Sequence, residues 1–200
     1  KKDEKGFTLI ELLVVAAIIG ILLAIAIPNL MKARISANEA NARKSMQTLR
    51  DAEGEYFEQD LDDNGTRDFT NLIGDVDTPG TLRGPDGSGL EEDALVDITF
   101  EGADTEGSGT ADCERPKAGY CIQFDADNVA ANETTNLYDD FGWQASMSSY
   151  NKTGRRDFSV YGDGVIRCGA PLVDGEPGDT GYVTNDPGTF QAVRESPGCN

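Results

Sequence analysis

The fold is decided by residues 7–31, which read Phe-Thr-Leu-Ile-Glu-Leu-Leu-Val-Val-Ala-Ala-Ile-Ile-Gly-Ile-Leu-Leu-Ala-Ile-Ala-Ile-Pro-Asn-Leu-Met. A helix that crosses a membrane needs roughly 20 mostly apolar residues, and this run supplies them. Between Leu12 and Ile27 no residue is charged or strongly polar. The one acid in the run is Glu11, and an ionised carboxylate inside a bilayer costs about 2.5–3.5 kcal/mol. The sequence therefore predicts a transmembrane helix whose acid requires a partner.

Basic residues flank the apolar run, and the rest of the chain is strongly acidic. Lys1, Lys2 and Lys5 precede the run and indicate that its N-terminal side is cytoplasmic, although further Lys and Arg residues follow it between positions 32 and 44. The net charge is +4 over the first 50 residues and −23 over the remainder, which together give −19. Such an acidic surface repels nucleic acid and anionic lipid, so no nucleic-acid partner is expected.

The junction between the basic segment and the apolar run carries a distinctive motif. Residues 5–11 read Lys-Gly-Phe-Thr-Leu-Ile-Glu. This motif resembles the N-terminal signal of type IV prepilins and of type II secretion pseudopilins. The resemblance implies a leader, residues 1–6, that a prepilin peptidase removes by cutting between Gly6 and Phe7, after which Phe7 is N-methylated. It also implies that the new ammonium group of a neighbouring subunit neutralises Glu11 as helices stack in a filament.

Two other interpretations of the apolar run are a signal anchor with a stray acid and a cleaved secretory signal peptide. A secretory signal needs small residues at its cleavage site, and residues 27–30, Ile-Pro-Asn-Leu, do not supply them. The family resemblance instead implies a single-pass protein stored in the bacterial inner membrane, with its head outward, that later enters an extracellular filament. Its expected partners are copies of itself in a helical filament, inner-membrane lipid before assembly, the prepilin peptidase and the assembly machinery.

Helical periodicity continues beyond the apolar run, through residues 32–59. Apolar residues recur there at steps near 3.5, the stripe of an amphipathic helix: Ile35, Ala42, Met46, Leu49 and Tyr56. The charged side chains of this segment, Glu39 among them, are expected to lie mostly off the stripe. Breaks in the long helix are predicted at Gly20 and Pro28, because proline removes a backbone hydrogen bond. The resemblance implies that the region between these two residues becomes extended on filament assembly.

Residues 60–200 predict a globular antiparallel β head with long loops. Candidate strands are Leu95–Phe100, Gly119–Phe124, Phe141–Ala145, Phe158–Tyr161 and Val165–Cys168. The glycine-rich sequence at 162–164 predicts a hairpin turn between the last two, and long loops are predicted at 75–89 and after Gly169. An amphipathic helix needs a partner for its stripe. The predicted fold class is therefore α+β: a long N-terminal α-helix packed on a small antiparallel β-sheet head, similar to type IV pilins.

Four cysteines in an exported domain predict two disulfide bonds, because oxidising compartments preserve them. Four cysteines permit three pairings. We favour the nearest-neighbour pairs, Cys113–Cys121 and Cys168–Cys199, of which the second would tie down a Gly/Pro-rich tail. Metal ligation by these cysteines is the alternative, but the chain contains no His and no Cys-x-x-Cys motif.

One acidic segment has the spacing of a calcium-binding loop. Asp60, Asp62, Asn64 and Asp68 occupy positions 1, 3, 5 and 9 of an EF-hand-like pattern that also has glycine at position 6. The bidentate Glu expected at position 12 is missing. A structural calcium ion is one hypothesis, and a solvated acidic turn that ends the long helix is the other. No cofactor is expected to be required.

The function that the sequence favours is a structural subunit of a type IV pilus-like extracellular filament. The alternatives are the major pseudopilin of a type II secretion system and a minor pilin that acts as an adhesin. Long Gly-rich loops and two disulfides slightly favour a surface pilus. Catalysis is not predicted, because His is absent and no nucleophile or phosphate-loop motif is present. Arg155 and Arg156 form the only doubled basic pair of the head, so DNA binding is not predicted.

Overall fold

A computed structural model describes residues 8–63, 65–104, 113, 115–126, 129–149, 151–169 and 199. Its elements are α1 Leu9–Gln59, α2 Ile98–Glu101, β1 Tyr120–Phe124, β2 Gly142–Met147, β3 Asp157–Tyr161 and β4 Ile166–Gly169. The four strands form one antiparallel sheet in the order β1-β2-β3-β4, and β2, β3 and β4 contact α1. The predicted α+β architecture, a long N-terminal helix on a small antiparallel sheet, is confirmed.

Helix α1 has 51 residues and is therefore about 76 Å long. It runs without interruption through Gly20 and Pro28, so neither residue breaks it in the single chain. A proline removes only its own hydrogen bond, and the bonds on either side preserve the helix. The helix ends at Gln59, where Asp60 turns into the left-handed conformation and donates its N–H to the Tyr56 carbonyl. The extended form implied for an assembled filament stays a prediction.

The second half of α1 is held by a continuous core that it shares with the sheet. The predicted stripe is buried: Ile35, Ala42, Met46, Leu49 and Tyr56. Opposite it lies Trp143 of β2, which is fully buried and packs edge-to-face on Phe124 of β1 with ring centroids 5.4 Å apart. Each fully buried large apolar side chain contributes about 1.5–3 kcal/mol to folding. The stripe predicted from periodicity is therefore the surface that joins helix and head.

Four of the five predicted strands are present, with ends shifted by one or two residues, and one is wrong. The segment Leu95–Phe100 does not form a strand, because Ile98–Glu101 is a single helical turn. Asp97 caps this turn by accepting a hydrogen bond from the Thr99 N–H at 2.9 Å. Phe100 is buried in the core. The cap and this one anchoring residue determine the helical turn, which an alternating apolar pattern does not reveal.

The predicted turn and the first predicted loop are also present. Residues 162–165 connect β3 to β4, with Gly164 at φ +71° and its N–H donating to the Tyr161 carbonyl at 2.7 Å. The positive φ explains the glycine at this position. Residues 75–89 contain turns and bends but no strand. The loop predicted after Gly169 lies outside the described residues, apart from Cys199.

Two disulfide bonds join the ends of the sheet to neighbouring segments. Cys113 is bonded to Cys121 and Cys168 to Cys199, with Cα atoms 5.7 and 5.3 Å apart. These are the two pairs favoured from the sequence. Cys121 lies on β1 and Cys168 on β4, which are the two edge strands of the sheet. Each bond therefore fixes a segment beside an edge that would otherwise be open to strand pairing.

Candidate functional site

The start of α1 is built around one carboxylate. The Thr8 N–H and hydroxyl donate to Glu11 Oε2 at 2.8 and 2.7 Å, and the Glu11 N–H donates back to Thr8 Oγ1 at 3.4 Å. This capping box satisfies free donors of the first turn and places a negative charge at the positive end of the helix dipole. Within the described residues only Oε2 of Glu11 accepts these bonds. Gly6 and Phe7, the predicted processing residues, lie outside the described residues.

The first half of α1 presents an apolar surface on all its sides. Every large apolar side chain from Leu9 to Met31 is exposed, between 47% at Met31 and 80% at Leu9. This segment is about 34 Å long, and a bilayer's hydrocarbon core is about 30 Å thick. By length and composition α1 is able to cross a membrane. A helix that is apolar all round is stable only inside a membrane or inside an assembly.

A buried acid near the C-terminal end of α1 binds the helix to the sheet. Glu53 is fully buried, and it accepts hydrogen bonds from Trp143 Nε1 at 2.7 Å and from the Thr70 N–H at 3.3 Å. Burial raises the pKa of Glu53 to about 8, the nearby Asp68 carboxylate adds to the rise, and the two hydrogen bonds oppose it. The Glu53 carboxyl group is therefore mostly protonated at neutral pH. It joins α1, β2 and the segment that follows α1.

A second acid, near the middle of α1, binds the helix to the turn before β3. Glu39 accepts hydrogen bonds from the Arg155 N–H at 3.1 Å and from Arg156 Nε and Nη2 at 3.1 and 2.7 Å. The preceding residue of the helix supplies a further link, because Asn38 Nδ2 donates a hydrogen bond to the Thr153 carbonyl at 2.9 Å. The Glu39 side chain is only 11% exposed, so its pairing with Arg156 is a partly buried ion pair.

Neither acid is among the site residues predicted from the sequence, and the expectation that Glu39 lies off the buried stripe is wrong. The stripe contains two seven-residue intervals, Ile35 to Ala42 and Leu49 to Tyr56. Glu39 and Glu53 occupy the middle of these intervals at the same helical spacing as the apolar residues, which makes them buried as well. A regular stripe with an acid in place of an apolar residue was the signal that identifies them.

The predicted calcium segment does not gather its carboxylates around one point. Asp60 Oδ2 accepts a backbone hydrogen bond at 3.1 Å, Asp62 bonds with a tyrosine of α1, and Asp68 is buried. In the part of the chain that the structure describes, no three Asp, Glu, Cys or His side chains are grouped so that they would hold a metal ion. Asn64 lies outside those residues. Calcium binding stays a prediction.

Comparison with known proteins identifies the N-terminal region first. Residues 1–27 match the family model described as the prokaryotic N-terminal methylation motif. The chain is also 34% identical over 130 residues to the type IV major pilin protein PilA of Myxococcus xanthus, an alignment that covers 64% of this chain and 53% of that relative. The chain therefore carries this motif and is similar to a type IV major pilin over about half of that relative's length. Gly6, Phe7 and Glu11 lie inside the matched motif.

Two further proteins that are similar to this chain come from Thermus thermophilus. The type IV wide pilus major component PilA4 is 63% identical over 38 residues, 19% of this chain and 29% of the relative. The type IV narrow pilus major component PilA5 is 50% identical over 48 residues, 24% of this chain and 41% of the relative. The chain therefore spans about half, or less, of the length of the curated relatives it matches. No solved structure matches it.

Proposed function

We propose that this chain is a structural subunit of a type IV pilus-like filament. In this proposal a prepilin peptidase removes the leader, the first half of α1 holds the subunit in the inner membrane, and the same half later packs with other subunits in the filament core. The observation that carries the proposal is the apolar surface from Leu9 to Met31, which the subunit's own head leaves wholly exposed. A bilayer and a bundle of like helices are the two environments that bury such a surface.

The geometry at Glu11 supports assembly over a lone membrane anchor. An anchor gains nothing from an acid in its apolar segment, since the acid raises the cost of insertion. In a filament, the remaining oxygen of Glu11 would accept a hydrogen bond from the ammonium group of Phe7 on an adjacent subunit. An unpaired charge in a low-dielectric core is costly, so this pairing would fix the axial register of the helices.

The relatives favour the pilus over the other two functions considered. The three proteins described above are named as major pilins or major pilus components. None of these names denotes a type II secretion pseudopilin or a minor pilin with an adhesin role. Because these relatives are named as components of a pilus, they also favour a structural subunit without catalytic activity.

Two measurements test the proposal. Filaments sheared from producing cells are examined by electron microscopy, and their subunits by mass spectrometry of the N-terminus. We expect long fibres whose subunits begin with N-methylated Phe7. A chain that keeps residues 1–6, stays dispersed in the envelope and is fully functional would refute the proposal.

Variants at Glu11 separate its two roles. Glu11→Gln retains an oxygen for the Thr8 cap but removes the charge, whereas Glu11→Ala removes both. We expect both variants to reach the membrane in normal amounts and to yield few filaments, and the exposed Glu58→Ala to yield normal filaments. Normal filament yield from Glu11→Gln would contradict charge pairing, because the cap alone would then account for the acid.

A further inference from the structure

Four exposed cations lie close to the position where the apolar segment of α1 ends. Lys32 and Arg34 are exposed on the helix directly after Met31, and Lys152 and Arg155 are exposed on the turn that packs against it. We call these four side chains the basic collar: Lys32, Arg34, Lys152 and Arg155. They stand out because the chain after residue 50 carries a net charge of −23.

The head holds the second pair of collar residues in a fixed position on the helix. Arg155 donates its backbone N–H to Glu39 at 3.1 Å, and the Thr153 carbonyl accepts a hydrogen bond from Asn38 at 2.9 Å. The turn itself is closed by the Thr153 hydroxyl, which donates to the Ser149 carbonyl at 2.9 Å. The collar is therefore a rigid feature of the folded head, although its members are more than 110 residues apart in sequence.

The four collar charges are not neutralised within the described part of the chain. Glu39, the only acid between residues 28 and 50, is already paired with Arg156. An open cleft of about 420 Å³ lies between the helix and the turn. Its lining residues are Lys32, Ile35, Ser36, Glu39, Arg155 and Arg156. Three of the six lining residues are cations, and one of these, Arg156, is paired with Glu39.

The height of the collar matches the headgroup layer of a bilayer. The head begins at Ile35, the first buried residue of α1, about 6 Å above Met31 along the axis. Glu39, which carries the turn, is about 12 Å above Met31. The headgroup layer on each side of the hydrocarbon core is about 5–8 Å thick. Long Lys and Arg side chains on the underside of the head reach this layer.

We propose that the basic collar binds the phosphate groups of anionic phospholipids while the subunit is stored in the membrane. Neutral lipid would fill the same space without neutralising four cations. The collar also opposes the usual rule that places Lys and Arg on the cytoplasmic side, so its charges call for a specific role on the outer side. The expectation that the acidic surface of the head repels anionic lipid stays a prediction, and the proposal concerns only the four cations at the base of the head.

The collar would also orient the head. Phosphates bound on both sides of α1 would hold the underside of the head parallel to the membrane and the helix close to the bilayer normal. The inference rests on the membrane-stored state of the proposed function but does not need a filament. It is tested on the monomeric full chain.

The test is lipid selection by the full chain in mixed detergent–lipid micelles. The micelles contain equal amounts of phosphatidylglycerol and phosphatidylcholine with the same acyl chains, and bound lipid is counted by native mass spectrometry. We expect phosphatidylglycerol adducts to predominate. Each cation near an anionic surface contributes about fivefold in binding at low salt, so Lys152→Gln/Arg155→Gln should lower the preference by roughly 25-fold.

Matched variants make the result specific to the collar. Arg67→Gln/Arg115→Gln removes the same charge from exposed positions outside the collar and should keep the wild-type preference. A second collar variant, Lys32→Gln/Arg34→Gln, leaves the head untouched and should lower the preference like the first. Emission from Trp143, the only tryptophan, verifies that each variant is folded.

Three results would overturn the proposal. The first is an equal number of phosphatidylglycerol and phosphatidylcholine adducts on the wild-type chain. The second is a loss of preference in the control variant as large as in the collar variants. The third is an unchanged lipid preference in collar variants that no longer form filaments, because the collar would then bind the acidic head of a second copy and not lipid. A chain that selects phosphatidylglycerol but never assembles would refute the proposed function and leave the collar intact.

Discussion

Replacing the buried acid of α1 should change how stability depends on pH. Glu53 has its pKa raised from about 4.5 to about 8 by burial. The folded chain therefore keeps a proton that the unfolded chain releases, and stability falls as pH rises between these two values. Integrated from pH 5 to pH 7, the loss is about 2.5 kcal/mol, and counted from pH 5 it approaches about 4 kcal/mol well above pH 8. Glu53→Gln cannot ionise and should lack this loss.

The substitution also has a cost that does not depend on pH. The amide of Gln presents an oxygen to Trp143 Nε1, but its NH₂ group then faces the Thr70 N–H, and two donors cannot bond. A buried donor left without a partner costs about 1–3 kcal/mol. We expect the variant to be less stable than the wild type at pH 5. The difference should shrink or reverse by pH 8.

Urea unfolding of the full chain in detergent, followed by the emission of Trp143, measures both effects. Curves are recorded at pH 5, 6, 7 and 8 for the wild type, Glu53→Gln and the control Glu58→Gln, which changes an exposed acid of the same helix. The control should follow the wild type. If the wild type and Glu53→Gln lose stability in parallel between pH 5 and pH 7, Glu53 is not the buried acid that the structure describes.

Three further predictions concern the ion pair of Glu39, the two disulfide bonds and the calcium hypothesis. Arg156→Gln leaves the Glu39 carboxylate without its ion pair and should lower the free energy of unfolding in urea by about 1–3 kcal/mol, whereas no change would show that the pair is solvated. Opening the disulfide of sequence separation 31 with Cys168→Ser should cost about 3.7 kcal/mol, and opening that of separation 8 with Cys113→Ser about 2.5 kcal/mol; thermal melts in the reverse order would contradict the loop-entropy account. The calcium hypothesis for residues 60–68 predicts a higher melting midpoint with excess calcium than with chelator, and equal midpoints would remove it.

Much of the architecture is readable from local pattern. The apolar segment, the stripe from Ile35 to Tyr56, four of the strands and the hairpin turn at 162–164 all follow from periodicity and turn chemistry over a few residues. The segment Leu95–Phe100 is the exception. Its pattern suits a strand, but the Asp97 cap and the burial of Phe100 against distant residues make Ile98–Glu101 helical.

The sequence by itself determined that this chain has an apolar helix with one acid near its start, a motif for processing, and a small β head. These features depend on hydropathy and spacing between near neighbours. The position of Glu39 and Glu53 on the stripe is a local pattern that indicates burial, but only the tertiary structure decided which groups they bind and that the collar forms. Glu53 meets Trp143 across 90 residues and Glu39 meets Arg156 across 117. The fold brings these partners from distant parts of the chain, so no local pattern encodes them.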